Sequence, residues 1–213
     1  MADGVSTRTE PETKAALPDA GAASTERRIF DAATVLFYEK GYHASTMREV
    51  AAAVGIKAGS LYNHYASKEE LLFRIAEGVM QELLDAGRVA VAGSSLPRDQ
   101  LRELIRSHVV YHAEQRFRAR VADDQLRALG PERRAMVVAV RDAYERLWRD
   151  VLDAGRETHG WIVSDTPVVT FAVTTMCTAV DVWYREGGRL TPAEIAEVYA
   201  DFVLRALERR RAR

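Results

Sequence analysis

Residues Thr46 to Tyr65 read Thr-Met-Arg-Glu-Val-Ala-Ala-Ala-Val-Gly-Ile-Lys-Ala-Gly-Ser-Leu-Tyr-Asn-His-Tyr, and no other stretch narrows the fold of this chain so far. Thr46 with Glu49 three residues on is a capping box, which supplies partners for the free amides of a helix start. Met47, Val50, Ala51 and Val54 recur at i, i+3, i+4 and i+7, so this helix has one apolar face. Gly55 stands where it must end, because glycine enters the left-handed conformation without strain. Ile56 plugs the turn, and Leu61 and Tyr65, four apart, face inward from a second short helix. Lys57, Ala58, Gly59, Ser60, Tyr62, Asn63 and His64 are left on or near the outer surface. Small residues, one cation, a tyrosine and a histidine suit a helix end seated in the major groove of DNA. A plain helical hairpin with a polar face is the alternative this pattern leaves open.

Through Thr46, Ala51, Gly55, Ile56, Gly59, Leu61, Tyr62, His64, Tyr65, Ser67, Lys68, Glu69 and Leu71 the chain resembles the TetR family of one-component transcriptional regulators. Tyr65 stands where that family usually has phenylalanine, and Ala58 is smaller than most residues at its position. The resemblance covers about residues 25–75 by motif and the rest by architecture. It implies a DNA-reading head, an inducer site in the body and dimerisation through a four-helix bundle of the last two long helices.

The 213 residues suit one large domain or two small ones, and a 47% hydrophobic share allows a sizeable core. No run of some eighteen apolar residues stands out, so no membrane-spanning helix is expected. Residues 1–24 carry Asp3, Glu10, Glu12 and Asp19 and lack the apolar segment of a secretory signal. Rich in Ala, Thr, Ser, Gly and Pro, they read as a disordered arm, with Arg8 and Lys14 outnumbered by acids. The one cysteine, Cys177, precludes an internal disulfide or a cysteine-based metal site. A cytoplasmic protein follows. A net charge of −1 excludes a generic basic nucleic-acid coat. Locally, Lys40, Arg48 and Lys57 oppose only Glu49, with Lys68 just beyond, and such a patch would give salt-sensitive phosphate binding.

A first helix starting near Ser24 or Thr25 buries Ile29, Ala33, Leu36 and Phe37, ends at Gly41 and completes a three-helix head. Tyr42 and His43 are packing residues or phosphate contacts, the latter favoured for Tyr42. Ser67 and Glu70 cap a long fourth helix through Leu72, Ile75, Val79 and Leu83, which continues out of the head as a rigid link. After a loop at Gly93 to Pro97, a fifth helix places Leu101, Leu104, Ile105, His108, Val109 and His112 on one stripe. A shorter helix over Arg118 to Leu129 precedes a long one to about Thr158 with Met136, Val137, Val140, Tyr144, Leu147, Trp148 and Val151 inward. The next, from Asp165 to about Gly187, is apolar nearly all round and must be buried on more than one side. The last, capped by Thr191 and Glu194, shows Ile195, Val198, Tyr199, Phe202, Val203 and Ala206 at offsets 0, 3, 4, 7, 8 and 11, and with the helix before it best explains itself as a homodimer interface. Its basic tail, Arg209 to Arg213, suits a solvated helix end.

His108 and His112, four apart, have a spacing able to grip a metal. No Glu follows His108 and no cysteines support the pair, so the expectation is a hydrogen-bonded corner of a ligand pocket and no metal. Cys177 sits in the most apolar helix, where its thiolate is disfavoured. No Ser/His/Asp arrangement, phosphate loop or paired-carboxylate site gives an enzyme anything to stand on, and no cofactor is expected. The aromatic residues are core or the lining of an apolar pocket with polar anchors at His108, His112, Gln125 and Arg141 or Arg146. The body also resembles, more loosely, a TetR branch associated with fatty-acid and sterol breakdown, through Tyr111-His112, Leu129-Gly130-Pro131-Glu132-Arg133-Arg134 and Trp183-Tyr184-Arg185-x-Gly187-Gly188. That resemblance implies an acyl-CoA thioester as effector, with another apolar or cationic drug-like molecule as the rival.

The prediction is an all-α chain of about nine helices: a disordered arm at 1–24, a helix-turn-helix DNA-binding domain at 25–70, and an effector-binding and dimerisation domain at 71–213. Tyr42, Thr46, Tyr62, His64 and Lys68 are expected at phosphates, and Lys57, Gly59 and Ser60 at base edges or in close backbone approach. The expected ligand set is His108, Tyr111, His112, Phe117, Gln125, Tyr144, Trp148 and Phe171. The expected dimer interface is Phe171, Met176, Val180, Trp183, Tyr199, Phe202 and Ala206. The function expected is that of a homodimeric repressor released from a palindromic DNA operator by a small-molecule effector. A helical ligand-binding protein without regulatory DNA binding is the competing class.

Overall fold

Helix starts fall where short polar side chains can cap them. The computed structural model describes residues 24–208, so the expected arm (Ser24 apart) and the tail Arg209 to Arg213 lie outside the described residues. Ser24 caps α1 (Thr25–Lys40), and Thr46 caps α2 (Met47–Val54) with the reciprocal Glu49 bond of a full capping box. Gly55, at φ 73° in the left-handed region, ends α2 and turns the chain into α3 (Ala58–Tyr62). Ser67 caps α4 (Lys68–Ala92), and the Glu70 carboxylate takes the amide of Ala66.

The body continues with α5 (Pro97–Glu114), α6 (Arg116–Asp124), a 3-10 turn at Leu126–Ala128 and α7 (Pro131–His159). It ends with α8 (Thr166–Thr178), α9 (Val180–Trp183) and α10 (Pro192–Leu207). The described residues form no strand, and with α8 and α9 taken as one broken helix they form nine helices, as expected. α4 is the spine, packing on α7, α5 and α6, while α10 lies along α5. Arg102 bridges α5 to Glu197 and Asp201 of α10, and Arg98 pairs with Glu208.

Two helices differ from expectation in their limits, and one residue in its burial. The helix expected over Arg118 to Leu129 starts two residues earlier and gives way at Gln125, whose φ/ψ of −100°/2° leaves only a 3-10 turn beyond. Met136 is exposed because it lies one residue, about 100°, off the stripe of Val137, Tyr144 and Trp148 that α7 buries. The apolar helix does not run to Gly187: it breaks at Ala179 and ends at Trp183. Thr166–Trp183 is long and apolar enough by composition to cross a bilayer, with mean hydropathy 1.2, contrary to the sequence expectation. The 13 residues of α8 rise only about 20 Å, short of the roughly 30 Å hydrocarbon layer, and α8 packs on α5 and α7.

Gly87 on α4 is required by packing. A Cβ there would stand 2.8 Å from Tyr144 Cε2 and 3.1 Å from Leu147 Cδ1. The bare backbone lets Tyr144 lie against α4 with its hydroxyl 2.8 Å from His108 Nδ1. Gly87→Ala should therefore destabilise by about 1–3 kcal/mol, as overpacking does. Urea melts should show a lower midpoint at unchanged slope; an unshifted midpoint means that Tyr144 yields freely.

Candidate nucleic-acid interface and effector cavity

In the head, α2 leans on α1 and α3 on α2, with Ile29, Val50 and Leu61 all fully buried. Arg28 of α1 donates to the Val54 carbonyl at 2.6 Å, satisfying the end of α2 beside the turn. The outer surface carries Thr46, Lys57, Gly59, Ser60, Tyr62 and His64, all exposed. Thr46 accepts from the Glu49 amide, and its own amide and hydroxyl donate to the Glu49 carboxylate. Lys40, 2.7 Å from Glu49, and the Thr46 bonds hold that carboxyl down at about 2. Glu49 thus neutralises Lys40, and among the described residues Arg48 and Lys57 are the cations of this patch without an acidic partner.

Tyr42 and Lys68 depart from the expected phosphate contacts. The Tyr42 ring is 8% exposed and packs edge-on to Phe37 at 5.4 Å. The Lys68 ammonium lies 4.3 Å from the centre of that ring and donates to the carbonyls of Tyr42 and Ser45 at 2.7 Å and of His43 at 3.4 Å. Its protons are engaged within the protein, so it clamps the loop between α1 and α2 to the first turn of α4. The sequence carries the lysine but no sign of the three carbonyls that converge on it.

Gly59 has neither a positive φ nor any atom within 4 Å of where a Cβ would stand. Nothing in the fold excludes alanine, although glycine inside a helix costs about 0.5–1 kcal/mol relative to it. Packing within the described residues therefore does not account for the bare position. Gly59→Ala should leave melting temperature equal or higher while weakening operator binding at least tenfold. Full binding in a gel shift would remove Gly59 from the contact surface.

In the body, the expected ligand residues do not form one site. A cavity of about 280 Å³ between α4, α5, α7 and α8 brings together His108, His112, Tyr144 and Phe171. Met80 and Leu83 of α4, Thr174, Thr175 and Thr178 of α8, and Asp123, Arg141 and Glu145 complete it. Phe117 and Gln125 line a different cavity of about 620 Å³ between α1, α6 and α9, which also holds Arg116, Arg120, Asp181 and Arg185. Trp148 is fully buried behind His108 and Tyr144, edge-on to both. Tyr111 points the other way and donates to Glu82 at 2.8 Å, where Arg118 also binds. These four separate because α5, α6 and α7 each present different faces to different neighbours. The threonines, missed from sequence, had a signal: they are the polar positions of an otherwise apolar helix.

His108 bonds Tyr144 through Nδ1 at 2.8 Å and Thr178 through Nε2 at 2.9 Å. His112 stacks on it at 4.4 Å, with both ring nitrogens unpartnered. Among the described residues, no group of three or more His, Cys, Asp or Glu side chains could hold a metal ion. Burial pushes the Cys177 thiol up to about 12.

Burial also pushes His112 down to about 4 and, with His112 beside it, His108 well below 6.5. Both are neutral when folded near pH 7 and take up protons near 6.5 once unfolded. Their contribution to stability is therefore complete above about 6.5 and is lost as pH falls toward 4. For His112 the window corresponds to up to about 3 kcal/mol. Urea melts at pH 7.5 and 4.5 should differ accordingly, and His112→Asn should shrink the difference. An identical pH dependence in that variant would show that His112 titrates normally.

A three-helix head with an exposed third helix, joined by one continuous helix to a cavity-bearing body, defines a helix-turn-helix regulator with a sensory domain. Residues 29–75 match the family profile of bacterial regulatory proteins of the tetR family, and residues 94–207 match the tetracyclin repressor-like C-terminal domain. The HTH-type transcriptional repressor KstR2 of Rhodococcus jostii is 32% identical, covering 88% of this chain and 93% of its own length. The TetR family transcriptional regulator PfmR from Thermus thermophilus superposes with a TM-score of 0.78 at 33% identity, over 85% of this chain and 100% of that one. The ketosteroid transcriptional regulator KstR2 of Mycobacterium tuberculosis gives 0.81 at 26%, over 89% and 97%. The chain belongs to the TetR family of DNA-binding transcription regulators.

Proposed function

We propose that this protein is a cytoplasmic, homodimeric repressor, without catalytic activity, that leaves a palindromic operator when an amphipathic effector enters the cavity between α4, α5, α7 and α8. The observation that carries this is that Met80 and Leu83, on α4, line the cavity. Met80 stands about 18 Å along that helix from the Lys68 clamp, so a ligand pressing on α4 acts on the helix that holds the head. A coupling of about 1–3 kcal/mol changes operator affinity about 5- to 150-fold.

Thr46, Lys57, Gly59, Ser60, Tyr62 and His64 form the proposed DNA surface, with Tyr42 and Lys68 supporting it from within. Two heads would meet half-sites about 34–36 Å apart or a multiple of that. Few of these side chains can form a base code, so DNA shape would contribute to specificity.

The proposed dimer face is the outer side of α8, α9 and α10. Phe171 is 71% and Phe202 63% exposed, and Val168, Val182, Trp183 and Val198 are exposed beside them. Met176, Tyr199 and Ala206 border this face, whereas Val180 is 0% exposed and belongs to the protomer core, so it leaves the expected interface. An apolar surface of this kind suits an obligate interface of about 2,000 Å² or more. Phe202→Glu should yield monomers in sedimentation and abolish operator binding; persistent dimers would move the interface elsewhere.

For the effector, the relatives named as a ketosteroid regulator and as KstR2 support a ligand from lipid breakdown. The cavity is smaller than the roughly 300–1,000 Å³ of drug-sized sites. It suits the apolar part of an acyl-CoA thioester, the coenzyme staying outside near Arg141. A gel shift on the DNA upstream of its own coding region, with acyl-CoA thioesters of increasing size and with free coenzyme A, tests this. Acyl thioesters should release the DNA and coenzyme A should not. Retention under every thioester favours the rival, another apolar or cationic drug-like molecule.

A further inference from the structure

We infer that the cavity selects ligands carrying an uncharged oxygen, a ketone or hydroxyl, which His112 hydrogen-bonds inside the apolar chamber. The inference rests on the effector cavity proposed above and specifies what it recognises.

His112 is 2% exposed and lines the cavity, yet neither ring nitrogen has a partner. Its neighbour differs: His108 has both nitrogens engaged, by Tyr144 and Thr178. A buried donor and acceptor without partners are costly, and a ligand that satisfies one recovers that cost. The ring is neutral near pH 7, since burial holds it at about 4, so it presents one N–H and one lone pair. A carbonyl oxygen accepts from the first, and a hydroxyl donates to the second. A carboxylate or ammonium there would be a buried charge facing a neutral imidazole and the hydrocarbon of Met80 and Leu83, which is strongly disfavoured. The charged residues of the lining, Asp123, Arg141 and Glu145, are partly exposed; Asp123 and Arg141 pair with each other at 3.0 Å and Glu145 pairs with Arg149. They serve the solvent side, where an anionic portion of the ligand would lie.

The test compares 4-phenylcyclohexanone with phenylcyclohexane, which match in shape and differ in one oxygen. Transfer out of water alone favours the hydrocarbon, so a preference for the ketone needs a polar partner. Titration calorimetry and thermal shift on the full chain should show the ketone binding about tenfold more tightly. The side-chain ¹⁵N resonances of His112 should move with the ketone and not with the hydrocarbon. His112→Phe should abolish the preference, and His112→Gln, which keeps a donor and an acceptor, should restore part of it. Equal or reversed affinities for the wild-type protein overturn the inference while leaving the cavity as the effector site. If neither probe binds, both fall. The wild-type comparison and the ¹⁵N shifts decide the matter even if a variant does not fold.

Discussion

The Lys68 ammonium, seated on the carbonyls of Tyr42 and Ser45 and over the Tyr42 ring, is the contact on which the coupling of head and body depends. A cation in the first turn of a helix opposes the helix dipole. Here the converging carbonyls stabilise it, and Glu69 and Glu70 stand beside it in the same turn. Because three backbone groups of one loop meet a single side chain of α4, the loop leading into α2 cannot shift independently of α4. Glu69 adds a second tie, accepting from the Gly130 amide at 2.9 Å and so joining the head end of α4 to the start of α7. The chain thus has a stiff rod whose one end holds the DNA-reading helices and whose middle lines the body's cavity.

Tyr144, which lines the cavity, lies against α4 where Gly87 gives up a side chain. With Gly87 bare, Tyr144 reaches across to His108, and the resulting network places His112 beside it without a partner of its own. Desolvation keeps both imidazoles neutral. The same packing lets α8 serve two surfaces. Thr174, Thr175 and Thr178 line the cavity, and Phe171, at the edge, belongs both to the cavity and to the apolar outer face. A partner subunit on that face would touch the wall of the cavity.

The head was legible because its determinants are local. Capping boxes, a glycine at a helix end and an apolar stripe are decided within about four residues, and Thr46, Glu49, Gly55, Leu61 and Tyr65 all take the positions that their types and spacing dictate. Helix count, the rigid exit of α4 and the apolar character of the region after Asp165 were legible for the same reason. Where helices end without a glycine or proline, as at Gln125 and Ala179, nothing local announced the break.

What the sequence by itself determined is therefore the class of fold, the position of the DNA-reading turn and the presence of a helix with too little polar face to stand alone. Only the tertiary structure decided which face each aromatic or ionisable side chain meets. It turned Lys68 inward, buried Tyr42 and Val180, and sent Tyr111 to Glu82. It also parted Phe117 and Gln125 from the histidines. Periodicity specifies the angle of a side chain around its own helix, whereas a binding site is set by the relative rotation and offset of several helices. Those depend on packing between residues far apart in the chain, such as Gly87 against Tyr144.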